Sequence, residues 1–395
     1  MRASSTLSLP VAVEKPVVAA VSCPNYDLDR VRGALQELLA PLGGMRRFVR
    51  PGQRVLVKPN LLSARPPEDA VTTHPAVVQA VVEAVQEAGG LPFLGDAPGA
   101  RTSPGSLHKA YTLTGLADVA ARTGTPLNFD VTTAELPNPE GRRLRQIPVW
   151  RAVCEAEVLI SLPKLKTHNL TGLTGAVKNC FGLIPSPQKT YLHMRWARPD
   201  EFSEMLVDLY LWAKPALNIL DAVVGMEGDG PSAGRPRPIG ALLASTDGLA
   251  LDVAMATLVG YDPMRVTTIA AAMRRGLSRG RLEDLTWVGP PLQELRPRRF
   301  RPSIAWLTNS RLVLWIMGLG GNFTTPRPKI TGACIGCGVC AEHCPVNAIT
   351  LCQGQAVVDH GKCIRCFCCH ELCPQQAVEI HRPGLADWLV RLLTR

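Results

Sequence analysis

The sequence predicts an α/β fold, a mainly parallel sheet with helices on both faces, followed by a small C-terminal α+β domain. Three observations lead there. Apolar strand-like runs alternate with stretches of helical period from residue 16 to residue 289. Ten of the thirteen cysteines fall within residues 334–373. At 395 residues the chain can bury a sizeable core and hold more than one domain.

Taken in order, residues 1–16 read as a loose tail and PVVAAV (16–21) as a first strand. Residues 27–40 carry leucines at helical spacing. Pro51-Gly52 breaks the chain before QRVLVKPN, a buried strand ending in a polar turn. TTHPAVVQAVVEAVQEAGG has threonines and Pro75 at its start and Gly89-Gly90 at its end, the signals of a helix, and LPFLGDAPG follows as a strand. A strand–helix–strand unit of this kind implies parallel pairing. EVLISLPKLKTH (157–168) reads as one strand running into charge, and ALNILDAVVGMEGDGP (216–231) as another ending in acid and glycine. IGALLAST leads into the helix DGLALDVAMATLVG; DPMRVTTIAAAMRRG is a second helix, and TWVG (286–289) a closing strand. The expected divisions are a tail (1–16), an α/β domain (17–290), a basic, proline-rich linker with an apolar segment (291–329), a cysteine-rich domain (330–383) and an amphipathic C-terminal helix (384–395).

The apolar stretch 303–321 is interrupted by TNSR, so a membrane span is rejected. With the C-terminal helix it could dock on a membrane surface, but packing against the chain's own domains is favoured. Hydrophobic content is 46% and mean hydropathy +0.08, which excludes a disordered chain, and net charge is +10. Nine arginines crowd residues 265–301 with few aromatics between them, so no nucleic-acid partner is expected. The N-terminus has no apolar leader segment, and cytoplasm is the expected location.

Within 334–374 the chain reads C-x2-C-x2-C-x3-C-P twice: Cys334, Cys337, Cys340 and Cys344 before Pro345, then Cys363, Cys366, Cys369 and Cys373 before Pro374. Bacterial ferredoxins hold [4Fe–4S] clusters with this run, the fourth cysteine of each ligating the other cluster. Two clusters are therefore expected, one on Cys334, Cys337, Cys340 and Cys373 and one on Cys363, Cys366, Cys369 and Cys344. Zinc sites pair C-x2-C motifs without the closing proline, and disulfide frameworks belong to short secreted chains. Cys368 would give four-residue gaps on both sides as a ligand; with Cys23, Cys154, Cys180 and Cys352 it is expected to be buried core material.

In the large domain, polar residues gather at strand ends, where open parallel sheets place ligands. The chain has 33 arginines and ten lysines, and five of the ten are Lys58, Lys164, Lys166, Lys178 and Lys189. A lysine cluster in an arginine-rich chain suits a compact point charge or a shiftable pKa. Lys166, His168 and Lys178 are the candidate catalytic residues; Lys58, Asn60, His74, Lys164, Asn179, Lys189 and His193 are candidates for binding an anionic substrate or organic cofactor. TTHP opens a helix whose N-terminus would attract an anion. TGLTGAVKN is glycine-rich but is not a nucleotide-triphosphate loop, and no dinucleotide fingerprint is present. Glu227, Asp229 and Asp221 could hold a cation; a glycine-rich turn with solvated acids is at least as good a reading.

KPNLL (58–62), TTHP, PKLKTH (163–168), GLTGAVKNCFGLIP (172–185), Lys189 with His193, DAVVGMEGDGP (221–231) and ALDVA (250–254) occur in one order. In these the chain resembles the family known as domain of unknown function 362, over roughly residues 17–290. Many members carry an appended dicluster ferredoxin module, so the resemblance implies an iron–sulfur architecture rather than a reaction. The expected function is an oxidoreductase passing electrons through two clusters to or from an anionic substrate or cofactor. A non-catalytic electron carrier or adaptor, or a cofactor-assembly or oxygen-sensing protein, is the alternative. A redox partner protein and a small anionic molecule are the expected partners.

Overall fold

The computed structural model describes residues 15–99, 102–302 and 326–381. Most of the expected tail, the apolar 303–321 segment and the C-terminal 384–395 helix lie outside them. Among the described residues no helix is long and apolar enough to cross a membrane.

The strands of the large unit are β1 (Val17–Ser22), β2 (Arg54–Pro59), β3 (Leu91–Leu94), β4 (Thr133–Pro137), β5 (Gln146–Trp150), β6 (Val158–Leu162), β7 (Lys164–His168), β8 (Gly172–Thr174), β9 (Leu217–Glu227), β10 (Arg235–Ser245) and β11 (Thr286–Val288). Nine form one sheet, ordered β11-β1-β10-β9-β6-β2-β3, with β7 beside β9 and β8 beside β7. β9, β6, β2 and β3 run parallel, whereas β10 is antiparallel to both β1 and β9. The sheet is thus mainly parallel but mixed. β4 and β5 pair only with each other.

Alternation along β2 shows why both faces are covered. Val55 and Val57 pack toward helices Leu28–Leu39 and Pro75–Glu87, while Leu56 packs toward helix Pro199–Ala213. Helix Gly248–Leu258 covers the same side farther along the sheet. Pro75 at the first turn and Gly89, at φ +86°, bound the second of these helices as its sequence requires.

The one long strand expected over 157–168 is two. Pro163 has no N–H for the ladder, and its carbonyl accepts from Asp221 N at 2.9 Å. Beyond it β7 leaves β6, pairs with β9 through a register shift between Lys164 and Lys166, and turns back into β8. This kink carries Lys166 and His168 to the C-terminal ends of the parallel strands.

The C-terminal unit is small and α+β. β12 (Arg327–Ile330) pairs with β15 (Val378–His381), and β13 (Ile349–Cys352) with β14 (Gln355–Val358), all antiparallel. Two short helices, Val339–Glu342 and Cys368–Leu372, follow the two cysteine loops. The second inserts between the two units: His370 Nε2 lies 3.2 Å from Asp229 O, and Gln376 Nε2 donates to Ser232 O at 3.1 Å.

Candidate functional site

At the C-terminal ends of β2, β3 and β7 lies a cavity of about 70 Å³. Of the ten candidates in the large unit, it brings together Asn60, Lys166, His168, Lys178, Asn179, Lys189 and His193. Lys189 and His193 stand one turn apart on helix Ser186–Arg195, and so share a face. Lys178 is presented by the short helix Ala176–Asn179. The Asp252 carboxylate accepts from the N–H groups of Ala176 (2.6 Å) and Val177 (3.2 Å), and Gly175 leaves room for it. Asp252 of ALDVA thus caps the helix that GAVKN forms. The far wall comes from the cysteine-rich unit, as Cys368, Glu371 and Leu372.

Inside, Lys166 Nζ donates to Asn60 Oδ1 (2.8 Å) and Val71 O (2.7 Å); Asn60 Nδ2 donates to Asn179 Oδ1, and Asn179 Nδ2 to Ser161 Oγ. The two asparagines therefore position Lys166 and have little left for a ligand. Burial lowers the Lys166 amine to about 7, with Lys178 adding to the effect, and burial lowers Lys189 to about 7 as well. Lys178 Nζ meets the ring faces of Phe181 at 5.3 Å and Phe202 at 5.8 Å, and burial lowers its pKa too.

His168 Nδ1 accepts from the N–H groups of Leu170 and Thr171, which fixes the proton on Nε2, 3.1 Å from Glu371 Oε1. Burial works against ionised Glu371, but the hydrogen bond from His168 and the charge of Lys178 outweigh it and hold the carboxyl below the usual range. Glu371 and Cys368 escaped the sequence reading, since spacing within the cysteine run says nothing about what the intervening residues face.

Three candidates serve elsewhere. Lys58 is buried in an ion pair with Asp96 (2.9 Å), against which Gly182 packs so closely that a Cβ would overlap Asp96 Oδ1. Lys164 pairs with Asp221 (2.8 Å) and donates to Tyr26 Oη. His74 stacks on Tyr26 at 3.6 Å, and its Nδ1 caps Ala76 N. Its own N–H donates to Asp221, so the helix N-terminus expected to attract an anion is satisfied from within. The three acids form no metal-holding group among the described residues: Asp221 is held by Lys164 and Tyr26, and Glu227 accepts from Arg301 N.

Burial lowers the rings of His74 and His168 to about 4 and that of His193 to about 3. Unfolded histidines take up protons near 6.5. These depressed values stabilise the fold above that pH, and the stability is lost as pH falls through the window down to about 4. Each ring steepens the loss by about 1.4 kcal/mol per pH unit. Urea midpoints measured across this window should therefore fall, and His74→Asn, which retains a capping side chain, should flatten the slope by one proton. An unchanged slope would refute the neutral ring.

The cysteines define two further cavities. One is lined by Cys334, Cys337, Cys340 and Cys373, the other by Cys344, Cys363, Cys366 and Cys369, with Cys368 also at its wall. Backbone N–H groups point at sulfur: Ala356 N at Cys334 (3.5 Å), Ala348 N at Cys344 (3.1 Å) and Ala377 N at Cys373 (3.2 Å). Four cysteines lining one cavity, with backbone amides donating to sulfur, fit a [4Fe–4S] cluster. All thirteen cysteines are free. Of the five expected to be buried spares, Cys23, Cys180 and Cys368 are buried, but Cys154 and Cys352 are exposed because they end a surface helix and a surface strand.

The model of a domain of unknown function, DUF362, matches residues 55–257. The chain belongs to this family. A second model, a 4Fe-4S binding domain, matches residues 328–350, which makes the chain an iron–sulfur protein. A thylakoid-associated protein of Synechocystis sp. is 37% identical over 269 residues, covering 66% of this chain and 80% of that protein. Among solved structures, a lactate racemase apoprotein from Thermoanaerobacterium thermosaccharolyticum aligns with TM-score 0.39 and 12% identity over 64% of this chain. A protein from Thermotoga maritima aligns with TM-score 0.33 and 14% identity over 63%. The chain spans 59% of the length of each of these two structures. Every cavity residue of the large unit, from Asn60 to Pro231, falls inside the DUF362 match, and Cys368, Glu371 and Leu372 fall outside it.

Proposed function

We propose that this DUF362 protein is an iron–sulfur oxidoreductase that holds two [4Fe–4S] clusters and exchanges electrons with a small anionic substrate or organic cofactor in the lysine-lined cavity. One observation carries the reading. Helix Cys368–Leu372 sends Cys369 to a cysteine-lined cavity, and Cys368, Glu371 and Leu372 to the lysine-lined one. The ligand sets are Cys334, Cys337, Cys340, Cys373 and Cys344, Cys363, Cys366, Cys369, supported by the two cavities they line. When bound, such clusters supply single electrons at low potential.

The chain's own residues supply the rest. Lys178 lies free to balance negative charge on the ligand, and Lys166 is aimed by Asn60. His168 holds a proton on Nε2 beside the cavity, fixed there by two backbone donors, where a reduction that consumes protons needs one. Leu62 and Leu372 flank the polar groups. A redox partner protein would deliver or collect the electrons. The absence of disulfides among the thirteen cysteines suits a reducing compartment such as the cytoplasm.

Protein purified under argon should contain about eight iron and eight sulfide per chain, and native mass spectrometry should identify the small molecule that accompanies it. Once that molecule is in hand, His168→Gln should keep the iron and lose most of the turnover. Turnover that survives loss of both Cys337 and Cys366 would exclude the electron-transfer role.

A further inference from the structure

We infer that the cavity's ligand presents a compact oxyanion, a carboxylate or a phosphate-like group, and that Lys178 and His193 grip it. This deepens the proposed function by naming the ligand chemistry, and it rests on that reading only in taking the same cavity as the ligand site.

Hydrogen-bonding capacity in the cavity is unevenly spent. Lys166 Nζ spends two of its three donors on Asn60 Oδ1 and Val71 O, and Lys189 Nζ spends two on the carbonyls of Ala97 and Pro98. Each keeps one. Lys178 Nζ faces aromatic rings and has no carboxylate within ion-pair distance among the described residues, so its three donors remain. His193 is 5% exposed, stacked on Phe202 at 4.3 Å, and its Nδ1 has no hydrogen-bond partner. A buried ring nitrogen left so costs stability unless something occupies the cavity beside it.

Acceptors are few. Asp96 gives one oxygen to Lys58 and the other to Leu61 N, and Glu371 gives one to His168. The cavity thus offers several donors and excess positive charge to whatever enters, and an acceptor-rich anion answers both. Its volume sets the size. With roughly 10–15 Å³ needed per small occupant of water's size, about 70 Å³ suits a head group such as acetate or phosphate. No glycine-rich triphosphate loop stands beside it to take a longer anion.

The test is titration calorimetry of the anaerobically reconstituted full chain at constant ionic strength. Sodium acetate and potassium phosphate are the two probes, with acetamide as the neutral isostere of acetate. One oxyanion should bind once per chain, and which of the two binds tells a carboxylate head group from a phosphate. Acetamide should give no heat. Lys178→Met and His193→Phe should each weaken binding about tenfold or more, the loss of one charged hydrogen bond, while the exposed Lys109→Met leaves it unchanged. If Lys178→Met is poorly folded by circular dichroism and iron content, Lys178→Arg takes its place and should keep binding within a few-fold. Acetamide binding as well as acetate, affinity indifferent to Lys178→Met, or no heat from either anion would overturn the inference. Oxyanion binding without redox turnover would sink the oxidoreductase reading alone. Cluster-dependent turnover of a neutral substrate, with no oxyanion bound, would sink this inference alone.

Discussion

Cys344→Ala should remove the cluster that depends on the second cysteine run, Cys363, Cys366 and Cys369, and spare the one built from its own run. Cys344 shares a cavity with Cys363, Cys366 and Cys369, while Cys373 shares one with Cys334, Cys337 and Cys340. Iron should fall from about eight to about four per chain. The double variants decide which half remains. Adding Cys366→Ala to Cys344→Ala should cost no more iron, whereas adding Cys337→Ala should remove nearly all of it. The opposite pattern would mean that each run holds its own cluster and that the exchange of fourth ligands is wrong. Cys373→Ala is the mirror experiment. Because the Cys344 set borders Cys368 and the lysine-lined cavity, its loss should also perturb oxyanion binding more than loss of the Cys334 set.

Gly182→Ala should be among the most damaging single-atom additions in the protein. Asp96 and Lys58 are both fully or nearly buried and lie 2.9 Å apart. An added Cβ would overlap Asp96 Oδ1 and come within 2.6 Å of Lys58 Nζ, so the pair must separate. Breaking a buried pair while both charges stay inside costs about 3–5 kcal/mol. In a domain of this size that is a fall of on the order of 10 °C in Tm. Gly33→Ala, where an added Cβ meets nothing within 4 Å, is the control and should be nearly neutral or slightly stabilising. Equal melting of the two variants would mean that the Lys58–Asp96 contact is not held as described.

Much of the fold was legible because local signals agreed with the global answer. Pro75 and Gly89-Gly90 bounded a real helix, and the buried run in β2 read correctly as a strand covered on both sides. Helix Ser186–Arg195 is not legible in the sequence because SPQKTYLHMR has no apolar stripe. The face a buried helix would fill with leucine is here turned to a polar cavity through Lys189 and His193. Pro163 sits inside an apolar run that reads as one strand, and its missing N–H is what ends β6.

At the site, residue type pointed to the right region but could not sort its members. Lys58, Lys164 and Lys166 are strand lysines of the same burial, and only their partners divide them. Two meet aspartates and stabilise the fold; the third meets an asparagine and a carbonyl and keeps a donor for the cavity. Such pairings depend on contacts between residues 38 to 106 positions apart, which no local pattern encodes.

The shared helix Cys368–Leu372 has a consequence for how the protein matures. The wall of the lysine-lined cavity is completed by Cys368, Glu371 and Leu372, which stand beside cysteines of the second run. Removing everything after residue 326 would take away Cys368, Glu371 and Leu372 together and open the cavity to water along one side. Under the proposed function, cluster loading and closure of this cavity are coupled, and a chain cut after residue 326 should bind neither iron nor the oxyanion.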